Sequence, residues 1–124
     1  MVAKPAKLLT YLVAEIALFV FASLLHRGAL VSGYEHGKAA VAETVIASVL
    51  AAGLLLSLMR PWSTRLFALF VQGFALAGTF LGVVMIAIGV GPRTAADLGL
   101  HALMIVMLTF GFIAAKRTAD LSPT

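Results

Sequence analysis

Residues 8–25 read Leu-Leu-Thr-Tyr-Leu-Val-Ala-Glu-Ile-Ala-Leu-Phe-Val-Phe-Ala-Ser-Leu-Leu, with Glu15 as the one formal charge in the run. At 1.5 Å per residue, a helix of about 20 such residues crosses roughly 30 Å of hydrocarbon. Lys4 and Lys7 precede the run, as basic residues precede a signal peptide. But the run is longer than a signal core, contains Glu15 and lacks a small-residue cleavage site. It is read as a retained first transmembrane helix.

The same pattern returns three more times. The first helix is expected over residues 6–31 and is broken by Ser32-Gly33-Tyr34-Glu35-His36-Gly37. The second is expected over residues 39–59 and stops at Arg60-Pro61. Proline cannot continue a helix, and Ser63 or Thr64 is available to cap the next one. Trp62 suits the headgroup level. The third is expected over residues 64–90, ending at Gly91-Pro92-Arg93-Thr94. The fourth is expected over residues 95–115, opened by Thr94 and Asp97 in the spacing of a capping box and closed by Lys116 and Arg117. Short connections make successive helices antiparallel neighbours. The expected fold is therefore an all-α, integral membrane, antiparallel four-helix bundle in a single domain over residues 1–124.

Composition agrees. Of the 124 residues 62% are hydrophobic and 11% charged. Soluble domains carry about 45–50% apolar and about 25% charged residues, so the bilayer must act as solvent here. The net charge is +4, but the basic residues flank apolar runs and form no patch. They read as topology signals and lipid contacts, which sets nucleic acid aside. The chain has no cysteine, which excludes disulfides, thiol redox chemistry and Cys-ligated metal. With the N-terminus inside, Lys4, Lys7, Arg60, Arg65, Lys116 and Arg117 lie inside, and Arg27, Lys38 and Arg93 outside. Six against three favours cytoplasmic termini in a bacterial inner membrane.

Ionisable groups at membrane depth are costly and mark sites. In the expected topology His26, Glu43 and His101 share one level near the outer face, with Asp97 one turn above His101. Glu15 and His26 are eleven residues apart, close to three full turns, so they share one face of the first helix with Phe19 and Ala22 between them. Glu15 lies deeper, level with Gln72, and a hydrogen bond between the two is expected.

Several chemistries fit these ligand-binding or proton-relay candidates, Glu15, His26, Glu43, Gln72, Asp97 and His101. His26, Glu43 and His101 offer ligands to a divalent metal. Two histidines on different helices suit axial ligation of a haem. A histidine–carboxylate pair beside an apolar slot suits a quinone headgroup or a proton relay. The bland alternative is a structural pair that fixes helix register. Gly78 and Gly82 form a GxxxG pair, usable inside the bundle or between two copies of the chain.

The size and four-helix layout resemble the DoxX-like small bacterial membrane proteins. The stretch Ile88-Gly89-Val90-Gly91-Pro92-Arg93-Thr94, followed by Asp97 and His101, resembles a pattern of a related, uncharacterised four-helix membrane family. The resemblance implies a membrane partner in a redox complex, at a quinone, and supplies no catalytic residue. The expected function is thus a redox-associated membrane subunit, not a stand-alone enzyme, with a quinone, haem or metal site near the outer face. The alternatives are a structural or assembly subunit, and a small proton-coupled transporter working through Glu15.

Overall fold

The computed structural model of the chain describes residues 5–120; Lys4, one of the residues behind the charge asymmetry, lies outside them. Four helices follow one another: α1 (Pro5–His26), α2 (Gly37–Met59), α3 (Thr64–Ala87) and α4 (Ala95–Lys116). A single 3-10 turn, Pro61–Ser63, joins α2 to α3. Each helix is long and apolar enough to cross a membrane, so the chain is a multi-pass membrane protein in contact with lipid. The helices form a square: α1 and α3 each pack against both α2 and α4, and meet each other little across the diagonal. One end carries the α1–α2 and α3–α4 loops. The other carries the α2–α3 turn and the described chain ends.

Burial is inverted relative to a soluble bundle. Phe70 is 72% exposed and Met59 66%, while Glu15, Gln72, His26 and Asp97 are enclosed. Lipid is as apolar as Leu or Phe, so nothing drives those side chains inward, whereas every polar group needs a partner inside. The main core joins Leu12, Phe19, Leu50, Met104 and Leu108. A smaller layer of Leu8, Ala68, Ala114 and Ala115 closes the turn end.

Two helices end sooner than their hydropathy predicts. α1 stops at His26, not at Val31, and α3 at Ala87, not at Val90. The cause is the same at both ends. Gly28 (φ +72°) and Gly89 (φ +87°) enter the left-handed region. Ala29 N–H then bonds Leu24 O at 3.1 Å, and Gly28 N–H bonds Leu25 O at 3.0 Å. At α3, Val90 N–H bonds Met85 O at 2.9 Å and Gly89 N–H bonds Ile86 O at 3.2 Å. This is the Schellman arrangement, which glycine adopts without a Cβ penalty. The apolar residues beyond each glycine belong to loops. Arg93, expected to reach headgroups, instead donates from Nε to Ile86 O (2.9 Å) and from Nη2 to Ala87 O (3.1 Å), covering carbonyls at the end of α3.

Helix starts are set by side chains. His36 caps α2: its Nδ1 accepts from Ala39 N–H at 3.2 Å, and its Nε2 donates to Val90 O at 3.2 Å. It ties the two loops together, where the sequence predicts only a solvated loop residue. Ser63 occupies the N-cap position of α3 but makes no capping bond, and the Thr64 hydroxyl turns back to Pro61 O (2.8 Å). The Thr94–Asp97 capping box of α4 forms as expected.

Gly78 and Gly82 serve packing inside the chain. A Cβ on Gly78 would lie 2.9 Å from Ile46 Cδ1, and one on Gly82 2.9 Å from His101 Nε2. The small-residue pair lets α3 approach α2 and α4.

Candidate functional site

His26, at the last turn of α1, points into the loop end of the bundle and is 1% exposed. Its Nδ1 lies 2.8 Å from both carboxyl oxygens of Glu43 on α2. Its Nε2 lies 2.8 Å from Asp97 Oδ1 on α4. One imidazole therefore joins three helices through two carboxyl groups. The second oxygen of Asp97 accepts from Thr94 N–H at 2.9 Å, and the Thr94 hydroxyl stands 2.5 Å from it. The N-terminus of α4, where backbone N–H groups and the helix dipole favour negative charge, holds the Asp97 carboxylate. The cap thus fixes one oxygen and aims the other at His26.

The expected His26–Glu43 pairing is present. The third partner differs from expectation: Asp97, read first as a cap, completes the cluster, and His101 does not bond His26. His101 Nδ1 donates to Asp97 O, one turn earlier on its own helix, at 2.8 Å. That bond leaves its Nε2 as a free acceptor beside Gly82.

The grouping of His26, Glu43 and His101 as metal ligands is not assembled. Among the described residues no three His, Asp or Glu side chains stand where they could hold a metal ion. The reason is local: both His26 nitrogens are engaged by carboxyl groups, so no lone pair is available. The same geometry removes His26 as an axial haem ligand in this arrangement.

Beside the cluster, α2 and α3 part and leave a cavity of about 150 Å³ bounded also by α4. Its wall is almost wholly apolar, with Ile46, Met85, Leu81 and Met104 among its residues and Phe19 reaching in from α1. Glu43, His101 and Thr79 bring polar atoms to it, and His36 and Lys38 stand at the loop end. Leu81, which is 56% exposed, belongs to both the wall and the outer surface, so the cavity borders lipid. The arrangement offers an apolar slot with a carboxyl group and an imidazole acceptor on its wall. Sequence reasoning read His36 only as a loop residue and did not single out Thr79. The position of His36 directly before an apolar run was a usable signal, since that is where caps stand. Nothing in the sequence sets Thr79 apart from any other helical threonine.

Glu15 and Gln72 form a second, separate polar pair. Gln72 Nε2 donates to Glu15 Oε1 at 3.0 Å and to Oε2 at 3.2 Å, as the sequence predicts, and both residues are 0% exposed. Gln72 Oε1 has no hydrogen-bond partner among the described residues. Gly111 on α4 lies against the pair, and a Cβ there would run into Glu15 Oε1 and Gln72 Nε2. The eleven residues between Glu15 and His26 set the two sites about 16 Å apart along α1. The Leu8 layer lies toward the turn end and Phe19, Ala22 and Met104 toward the loop end. Apolar layers therefore lie between Glu15 and both ends of the bundle.

Thr94 gives a first test of the cluster. Thr94→Ala removes the side-chain cap and leaves that Asp97 oxygen to the backbone N–H alone, and should lower stability by about 1–2 kcal/mol. Thr94→Ser should restore it. Reversible unfolding in mixed micelles is the measurement, and equal stability of the Ala and Ser variants would show that the cap does not hold the cluster. In comparison with known proteins, the sequence matches no protein-family model, and no curated protein and no solved structure is significantly similar to it.

Proposed function

We propose that the chain is a small membrane subunit that binds a quinone-type headgroup in the cavity between α2, α3 and α4, and handles its protons. One observation carries the reading: Glu43 lines the cavity and is at the same time held by His26. A hydroquinone presents two hydroxyl donors on a flat apolar ring. One hydroxyl suits the free Nε2 of His101 and the other the Glu43 carboxyl group. A proton accepted by Glu43 can pass to His26 Nδ1 while His26 Nε2–H passes one to Asp97, because an imidazole accepts on one nitrogen as it donates from the other. Asp97 stands at the start of α4, next to the membrane surface. Electrons would leave to a separate redox partner, which makes the chain part of a redox complex and not an enzyme by itself. The resemblance to DoxX-like proteins points the same way. The charge asymmetry supports a bacterial inner membrane with both termini in the cytoplasm and the cavity near the outer face.

The test is saturable binding of decylubiquinone to the protein in nanodiscs, measured against protein-free discs. Ala42→Phe should fill the cavity mouth and abolish saturable binding. Glu43→Gln should weaken it about tenfold or more, the effect of losing a hydrogen bond to a charged group. Wild-type protein with no saturable component would sink the proposal. A second reading has one observation in its favour: every polar atom of His26, Glu43 and Asp97 has a partner within the cluster or its cap, as in a purely structural staple. On that reading His26→Gln lowers stability while leaving a bound headgroup's affinity unchanged.

A further inference from the structure

A different face of the bundle carries a groove between α1 and α2, of about 360 Å³. Ile16, Val20 and Leu24 form its α1 side, and Ala47, Ser48 and Ala51 its α2 side. Large side chains on one helix face small ones on the other, which leaves a furrow open to lipid. At its loop end the furrow is roofed by one cation. Arg27 Nη2 donates to Thr44 Oγ1 at 3.0 Å and Nε to Ser23 Oγ at 3.3 Å. The two hydroxyls stand 2.7 Å from each other, and each is anchored to Ala40 O, at 3.1 Å from Ser23 and 2.8 Å from Thr44. They hold the guanidinium at the groove mouth. Among the described residues Arg27 forms no ion pair with any carboxylate, unlike Arg65, which pairs with Asp120. It also stands one residue beyond the end of α1, where a membrane surface meets the helix.

We infer that this groove holds one acyl chain of an anionic phospholipid whose phosphate sits on Arg27. The dimensions fit. From Arg27 to Ile16 is eleven residues, about 16 Å along α1, which is close to half of a hydrocarbon core of roughly 30 Å, or one leaflet. The charge fits as well. A guanidinium matches phosphate oxygens with paired N–H donors, and the hydroxyls that position it lack the negative charge that would compete for it. A zwitterionic lipid offers the same chain but a neutral headgroup, so the groove should rank lipids by charge. One cation at a membrane surface supports about a fivefold preference.

The experiment is native mass spectrometry of the full chain released from nanodiscs of equal phosphatidylglycerol and phosphatidylcholine with matched chains. Wild-type protein should retain phosphatidylglycerol about fivefold over phosphatidylcholine. Arg27→Gln should retain the two equally, and Arg27→Lys should recover part of the preference, which separates loss of charge from loss of fold. Ala51→Phe should fill the furrow and release the bound lipid with the cation intact. Soluble glycerol phosphate, which has the anion without the chains, should leave the lipid in place. Equal retention by wild type, an undiminished preference in Arg27→Gln, or displacement by glycerol phosphate would each overturn the assignment. So would a two-chain species lost in Ala51→Phe, which would give the furrow to a second copy of the protein.

Discussion

Replacing His26 by leucine should cost about 3–5 kcal/mol of stability. The side chain fills a similar volume, so the loss is not one of packing. An ordinary hydrogen bond between helices in a membrane contributes only about 0.6 kcal/mol, and on that scale His26 would be minor. The decisive term is what remains behind. Glu43 and Asp97, 5% and 1% exposed, would face each other across the vacated ring with no donor between them. Removing one member of a buried ionic group leaves an uncompensated polar charge, and that is where the several kcal/mol arise. The double variant His26→Leu with Glu43→Leu should therefore be more stable than His26→Leu alone, because Asp97 keeps Thr94. Reversible unfolding in mixed micelles decides the matter. A loss below about 1 kcal/mol for His26→Leu, or no recovery in the double variant, would show that the cluster is wetter and looser than its geometry.

The second large effect is expected at Gly111. An added methyl would collide with Glu15 Oε1 and Gln72 Nε2. Atoms at the ends of flexible side chains usually move aside at little cost. Here both residues are fully enclosed and bonded to each other, so moving either breaks the bond or pushes α4 outward. Gly111→Ala should cost about 1–3 kcal/mol, the usual range for overpacking, and Gly111→Val more. Because the clash is with the Glu15–Gln72 pair, the penalty should fall to a few tenths of a kcal/mol when Glu15 is also alanine. A penalty that is the same in both backgrounds would place the strain in helix packing and not in the polar pair.

How much of this was legible beforehand depends on which physical quantity each feature records. Four helices are visible because hydrocarbon thickness fixes their length and hydropathy reports it directly. The Glu15–Gln72 bond and the His26–Glu43 pairing are visible because depth and helical azimuth follow from residue spacing alone. The ends of α1 and α3 were set too late because Leu30, Val31 and Val90 are as apolar as any helical residue, and only the φ of Gly28 and Gly89 stops the helix. Asp97 was half legible. Its spacing from Thr94 identifies the cap, but a carboxylate has two oxygens, and the target of the second depends on how α4 is rotated against α1. That His101 bonds within its own helix was equally hidden: a histidine one turn after a helix start can always reach back to a carbonyl of its own helix. Spacing along one helix constrains that helix. It does not fix the angle between two.

The two polar pairs also differ in when they can form as the chain is made. Ser23, His26, Thr44 and Glu43 all belong to the first two helices, and the His26–Glu43 bond spans only 17 residues. The α1–α2 hairpin can therefore enter the bilayer with these groups already paired, before the second half has left the ribosome. An unpaired acidic residue opposes insertion, by up to about 2.5–3.5 kcal/mol at the helix centre and by less near its ends, so answering Glu43 early favours insertion of the hairpin as a unit. Glu15 must wait for Gln72, 57 residues later. Until α3 arrives, Glu15 is an unanswered carboxyl group in an otherwise self-sufficient hairpin, and it gives the newly inserted first half a reason to recruit the second.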